Sequence, residues 1–255
     1  MRLREKSLIV TGSTTGIGEA IARRCVEEGA RVLVHGLERE LGEKVAAELR
    51  APLVLSDLAD PAAPAGLVAA ALEAFGKIDG IVNNAGWVVR GQLDAVTPEF
   101  FDRVMAINCR APLLLIKEAL PHLAVTRGSV VNIGSVNAWC GEENLLPYSI
   151  SKGALMTLSR NLGDTLLRQH GVRVNQINPG WVLTDNERLH KQQEGMPEDW
   201  PARLPKLFAP TGRIFHPSEV AEAVLYFLSD AAGPISGQVL DLEQYPFIGR
   251  NPPKC

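Results

Sequence analysis

Apolar residues fall along the chain in short runs that alternate with longer stretches of helical period. The run at 7–11 (Ser-Leu-Ile-Val-Thr) has the length and composition of a buried strand, and 17–28 follows with helical spacing. The same alternation recurs. Runs at 31–35, 52–55, 78–82, 129–133, 172–177 and 238–242 predict further strands. Helical patterns fill 38–49, where Leu41, Val45 and Leu49 share a face, and the Ala-rich segment 62–75. They continue over 98–123, 147–170 and 217–228, the last with Ser218 or its neighbouring loop as a cap. Pro112 lies inside 98–123 and predicts a kink or break there. Residues 186–215 lack a clean period and hold Pro197, Pro201, Pro205, Pro210 and Trp200, which predicts an irregular insertion.

Strand and helix in strict alternation favour a parallel sheet covered by helices on both faces. Right-handed crossovers then give a doubly wound α/β sheet of about seven strands, with ligands at the carboxyl ends of the strands. No linker, repeat or low-complexity tract divides the chain, so the expectation is one domain over 1–255. It carries an insertion at about 186–215 and a tail at 243–255.

The chain is 46% hydrophobic and 22% charged with a net charge of −3, and no basic run occurs, so nucleic-acid and anionic-membrane partners gain no support. The apolar start at 8–10 is too short for a signal core and no stretch reaches the length of a membrane span, so a cytoplasmic location is expected. Cys25, Cys109, Cys140 and Cys255 form no CxxC pair, and no His/Cys spacing suggests a metal. Reduced thiols and no metal are the reading.

The first candidate chemistry lies at Thr11-Gly12-Ser13-Thr14-Thr15-Gly16-Ile17-Gly18, between the first strand and the first helix. Glycines there permit a tight turn and close approach of backbone to a pyrophosphate, and a helix N-terminus supplies free N–H groups to the anion. A merely structural turn is the plainer reading. Tyr148 and Lys152, four apart on a helix, share a face. A fixed ammonium favours phenolate and is expected to lower the tyrosine pKa from its usual value of about 10. A Tyr-x-x-x-Lys pair alone is common.

Taken together, TGSTTGIG at 11–18, Asn83-Asn84-Ala85-Gly86, Ser135, the Tyr148/Lys152 pair and Asn178-Pro179-Gly180 resemble the short-chain dehydrogenase/reductase family almost end to end. The resemblance implies a Rossmann fold, a bound NAD(P)(H) and hydride transfer between the cofactor and a carbinol or carbonyl carbon. It implies Tyr148 as general acid/base, Ser135 as the hydrogen-bonding partner of the substrate oxygen, Lys152 as the cation, and Asn108 as holder of a water in a proton relay. Cofactor contacts implied are Gly12, Ser13, Thr14, Thr15, Gly16, Ile17, Gly18, Gly36, Leu37, Asp57 and Leu58. Asn84, Ala85, Gly86, Tyr148, Lys152, Pro179, Gly180, Val182 and Thr184 complete them. Asn83 is implied as a brace of the sheet. Gly36 and Leu37 stand where the family selects its cofactor, and offer neither the acid for NAD nor the Arg for NADP. Arg39 can reach a 2′-phosphate and Glu38 opposes it; the lean is to NADP(H).

The substrate wall is expected from Trp87, Arg90, Asn137, Trp139, Glu142, Trp181 and the 186–215 segment, a mixture suited to a sugar, polyol or hydroxy acid. The chain departs from the family after its last strand, where Glu243-Gln244-Tyr245 replaces an Asp-Gly-Gly turn. Tyr245, Phe247 and Ile248 predict an ordered tail. The helices at 98–123 and 147–170 lie where the family forms dimer contacts, so a homo-oligomer, tetramer or dimer, is implied. A catalytically silent dinucleotide sensor predicts loss of Ser135, Tyr148 or Lys152, and all three are present. An epimerase or dehydratase using the same cofactor usually needs a larger substrate domain than this length provides.

Overall fold

The structure, a computed structural model, describes residues 1–246, apart from the side chain of Cys140. Seven parallel strands form one sheet: β1 Ser7–Val10, β2 Arg31–Gly36, β3 Leu53–Leu55, β4 Gly80–Asn83, β5 Ser129–Ile133, β6 Arg173–Pro179 and β7 Val239–Leu242. Their order is β3-β2-β1-β4-β5-β6-β7, so the direction of winding reverses between β1 and β4. That reversal opens a crevice at the carboxyl ends of the two central strands. The doubly wound Rossmann architecture expected from the alternation is the one observed.

Period-two alternation sends neighbouring strand residues to opposite faces. Leu8, Val10, Val32 and Val131 pack with α1 (Gly16–Glu27) and α9 (Pro217–Leu228). Ile9, Leu33, Ile81 and Val130 pack on the other face with α3 (Ala63–Phe75), α5 (Ala111–Thr126) and α7 (Leu146–His170). α2 (Arg39–Leu49) buries Gly42, Val45 and Ala46, whereas Leu41, expected on the same apolar face, stays exposed.

The long stretch 98–123 is interrupted as expected, but ahead of the proline. α4 (Pro98–Met105) passes into a π-helical segment, Ala106–Arg110, before α5 begins, with Pro112 in its first turn. Proline has no N–H for the carbonyl four residues earlier, that of Asn108, so the ladder is already incomplete there. A short α6 (Asn137–Cys140) follows β5.

The expected irregular insertion contains a regular element. α8 (Asp185–Gln193) is capped by the Thr184 hydroxyl, which accepts from the Glu187 N–H at 3.1 Å. It buries none of its residues, so no apolar period marked it in the sequence. Past it, Trp200, Ala209 and Ile214 form a small separate core with Trp181 and Leu183 at its edge. Beyond β7, Gln244 accepts from the Thr211 hydroxyl at 2.7 Å and donates to the Arg213 carbonyl at 2.7 Å. The rest of the expected ordered tail, with Phe247, Ile248 and Cys255, lies outside the described residues. Among the described residues no helix is long and apolar enough to cross a membrane, and no cluster of three or more His, Cys, Asp or Glu side chains could hold a metal.

Candidate active site

The turn after β1 is built for close approach. Gly12 has φ 61°, and a Cβ on it would stand 2.8 Å from the Ala85 Cα, so any side chain would push the turn off the β4 loop. The Thr11 hydroxyl accepts from the backbone N–H groups of Asn84 (3.0 Å) and Ala85 (3.1 Å). The Asn84 side chain returns two hydrogen bonds, to the Thr11 and Gly12 carbonyls, both 2.9 Å. Thr15 stands at the N-cap of α1 in an extended conformation and makes no side-chain cap. The first-turn N–H groups of α1 therefore have no side-chain acceptor from it and are open to an anion. This cradle fits a dinucleotide pyrophosphate.

His35, at the end of β2, ties this turn to the loop after β3. Its Nδ1 accepts from the Gly12 N–H at 3.2 Å, so Nε2 carries the proton and donates to the Ser56 carbonyl at 3.0 Å. Burial lowers its pKa. Beside it, Gly36 leads to an exposed Leu37. The Glu38 carboxylate accepts from the Thr14 hydroxyl at 2.6 Å and the Leu37 N–H at 3.3 Å. Burial opposes its ionisation, but these donors outweigh burial and hold Glu38 below its ordinary pKa. Arg39 is exposed and pairs with Glu43 at 3.4 Å. Asp57 accepts from the Ala59 N–H and from Arg103, each at 2.8 Å, and Leu58 beside it is buried.

On the other side of the crevice, α7 presents Tyr148, Ser151 and Lys152 from one buried face. The i, i+4 spacing predicted this, and Pro147 in the first turn starts the helix just before the tyrosine. The Lys152 Nζ donates to the Ile133 carbonyl at 2.8 Å and lies 5.6 Å from the centre of the Tyr148 ring. Ser135, two residues beyond β5, hydrogen-bonds the Tyr148 side chain, and its Oγ accepts from the Asn137 N–H at 3.1 Å. Asn108 comes from the π-helical segment and is fully buried. Its Oδ1 accepts from the Trp87 N–H at 2.7 Å, and its Nδ2 donates to the Trp87 carbonyl at 3.2 Å and the Ser151 hydroxyl at 3.0 Å. Lys152 and Asn108 converge beneath Gly86, where a Cβ would lie 3.3 Å from the ammonium and 3.6 Å from the Asn108 Oδ1. Sequence positions 86, 108, 135, 148 and 152 are thus brought together.

The tyrosine pKa moves the opposite way from expectation. Burial pushes the Tyr148 phenol up to about 12, and the hydrogen bond with Ser135 offsets this only in part. Burial brings Lys152 down to about 8. Both shifts have one cause: the charged forms are desolvated in a closed site, and this outweighs the attraction invoked from spacing alone.

The third wall comes from the loop after β6. The Gly180 N–H donates to the Leu242 carbonyl at 2.9 Å, Val182 is buried and bridges to Phe215, and the Thr184 methyl would lie 3.4 Å from a Cβ on Gly16. Thr184 thereby reaches the glycine turn after β1. The expected substrate-wall side chains are all engaged. Trp87 meets Phe100 edge-on at 5.7 Å, Trp181 stacks on Trp200 at 5.2 Å and donates to Glu187, and the Trp139 indole points at Asp241. Asn137 donates to Glu142 at 3.3 Å, and Arg90 pairs with Glu194 at 2.5 Å across to α8. A cleft of about 640 Å³ opens beside the start of α7, lined by Gln92, Leu93, Asp94, Gly141, Glu142 and Leu146 among others.

Three residues that help build the site escaped the candidate set. Thr11 was visible only as part of the turn motif. His35 carried a signal, an imidazole closing an apolar strand that needs two partners once buried. Asp241 looked like ordinary strand alternation.

A family model described as enoyl-(acyl carrier protein) reductase, of the short-chain alcohol dehydrogenase type, matches residues 12–243. An uncharacterized oxidoreductase of Thermotoga maritima is 30% identical over 249 residues, covering 95% of this chain and 98% of the relative. A meso-2,3-butanediol dehydrogenase of Serratia marcescens is 33% identical, covering 93% and 92%. An L-fucose dehydrogenase of Mus musculus is 34% identical, covering 89% and 83%.

Proposed function

The chain belongs to the short-chain dehydrogenase/reductase family, and from that premise we propose how it acts on its CH–OH or carbonyl substrate, with which cofactor and on what kind of molecule. The enzyme is an oxidoreductase of CH–OH groups. The observation that carries the rest is the meeting of Ser135, Tyr148 and Lys152 in one closed site beside the uncapped N-terminus of α1.

The turn at 11–18 holds the pyrophosphate, and Val182 and Thr184 border the nicotinamide side. When bound, the nicotinamide supplies the hydride in reduction and accepts it in oxidation. Tyr148, with its phenol held protonated at neutral pH, delivers its proton to the substrate oxygen in reduction and takes it back in oxidation. Ser135 donates to the same oxygen and fixes its position. Lys152 lies beside the phenol and stabilises the negative charge left on it. Asn108 fixes the backbone of Trp87 and the Ser151 hydroxyl, so the loop that borders the substrate cannot swing away from α7. Its carbonyl, which Pro112 cannot engage, is the place for the relay water.

For cofactor choice the company of Glu38 and Arg39 supports a proposal opposite to the lean taken from the sequence. Glu38 is ionised and held against Thr14, where a 2′-phosphate would meet a carboxylate, while Arg39 is directed to Glu43. NAD(H) is the proposed cofactor. The substrate is proposed to be a small neutral polyol or sugar. Glu142 adds negative charge near Tyr148, and Asp94 and Glu142 line the adjoining cleft, which disfavours hydroxy acids. The names of two relatives, the butanediol and fucose dehydrogenases, support alcohols of this size. Exposed Leu113 on α5 and Ile150 on α7 support a homo-oligomer that covers these helices.

The test is a panel of sugars, polyols, hydroxy acids and ketones with each of NAD(H) and NADP(H), followed by nicotinamide absorbance. Tyr148→Phe abolishes turnover and keeps cofactor affinity, and NADH binds more tightly than NADPH. Parental turnover by Tyr148→Phe overturns the mechanism, and tighter NADPH binding overturns the cofactor choice.

A further inference from the structure

A chain of buried side chains crosses the sheet behind the active site. The Asn83 Nδ2 donates to the Asn132 Oδ1 at 2.8 Å, and the Asn132 Nδ2 donates to the Ser159 hydroxyl at 2.8 Å. Ser159 lies 2.8 Å from the Gln176 Oε1 and also from the Leu155 carbonyl, so its single proton serves one acceptor at a time. The Gln176 Nε2 donates to the Asn178 Oδ1 at 2.7 Å, and the Asn178 Nδ2 donates to the Asp241 Oδ1 at 2.9 Å. Asn83, Asn132, Ser159, Gln176 and Asn178 are all at or below 3% exposure, so solvent cannot replace a lost partner.

Between Asp241 and Ser159 the amides of Asn178 and Gln176 can bond only one way round, and the carboxylate at the end and the Ser135 N–H agree on which. A carboxylate only accepts. Asp241 therefore turns the Asn178 nitrogen toward β7 and its oxygen inward. That oxygen accepts from Gln176 and, at 3.2 Å, from the backbone N–H of Ser135. A flipped Asn178 would set its NH₂ against both donors. Gly134 makes room for this pair, because a Cβ on it would lie 2.1 Å from the Asn178 Oδ1 and 2.3 Å from the Gln176 Nε2. The other side of the carboxylate is taken by Trp139, whose Nε1 lies 2.9 Å and 3.0 Å from its two oxygens, with the Arg160 guanidinium 5.1 Å over the indole.

We propose that Asp241 is a positioning residue for Ser135, setting the polarity of this amide chain and so holding the serine backbone where its hydroxyl meets the substrate oxygen. The proposal rests on the role given to Ser135 above. It explains why the strand-end amides 176 and 178 sit polarised behind the site, a feature that cofactor binding does not require. A displacement of a reacting group by about 1 Å costs on the order of a hundredfold in rate. Losing the acceptor at 241 therefore acts on kcat, whereas the cofactor turn, on β1, is untouched.

Asp241→Ala and Asp241→Asn separate the possibilities. The alanine variant lowers kcat about tenfold or more and leaves the NADH Kd, read by fluorescence titration, within about twofold. The asparagine variant keeps an oxygen at the Oδ1 position, which already receives both Asn178 and Trp139, and holds kcat within about threefold of the parent. Parental kcat in Asp241→Ala overturns the proposal, as does loss of kcat and cofactor affinity in step. Should the alanine variant not fold, Asp241→Asn decides: kcat within about threefold sustains the proposal and a loss of about tenfold overturns it. Tyr148→Phe is run alongside; if it keeps turnover, the mechanism fails whatever Asp241 does.

Discussion

Asn108→Leu is the perturbation whose consequence the structure prices most directly. The side chain is fully buried and makes three hydrogen bonds, two to the backbone of Trp87 and one to Ser151. Leucine fills similar space and makes none. The Ser151 hydroxyl keeps its own bond to the Tyr148 carbonyl at 2.6 Å, so its loss is small. Trp87 is left with an unpaired N–H and C=O. Such a group costs about 1–3 kcal/mol when fully buried, and the lower end applies here because Trp87 is half-buried and water reaches it in part. Two groups then cost about 2–3 kcal/mol. For a domain of this size that lowers Tm by about 4–12 °C. Urea unfolding followed by circular dichroism measures the difference, with the NADH Kd as a second readout for the loosened 84–91 loop. A loss under about 0.5 kcal/mol, the range of an ordinary surface change, would refute the reasoning.

Gly12→Ala places a side chain at φ 61° and 2.8 Å from Ala85, so cofactor affinity falls about tenfold or more; an unchanged titration rejects the cradle. Lys152 is brought down to about 8 by burial, so its charge is present below that pH and lost above it. Reductive kcat/KM accordingly declines as pH rises through about 8, and a flat profile to pH 10 contradicts the role of the cation. His35 is held neutral with a pKa below its ordinary 6.5, whereas the unfolded chain gains a proton there. Its contribution to stability is complete above about pH 6.5 and is lost as pH falls through the lower folded value; His35→Asn removes this dependence in acid unfolding curves. Arg90→Ala breaks an exposed ion pair and changes stability by less than about 1 kcal/mol in the same unfolding assay.

By itself the chain determined the parallel α/β layering, since strand runs of four to six apolar residues separated by helical periods have few other packings. The tight turn at 11–18 was legible because Gly12 needs a conformation that only glycine adopts easily, and the shared face of Tyr148 and Lys152 because helical spacing puts them together. Tertiary structure decided what depends on surroundings. α8 stayed hidden because it buries nothing, and the interruption at Ala106–Arg110 fell ahead of Pro112 because π-helical geometry meets the proline's missing donor early. Desolvation, which no spacing encodes, drove Tyr148 up where its neighbouring cation alone argued down. The company kept by Glu38, by the indole of Trp139 and by Asp241 likewise came from residues 24 to 102 positions away, joined only when the sheet closes. Local periodicity is a property of neighbours in sequence; burial and hydrogen-bond polarity are properties of neighbours in space.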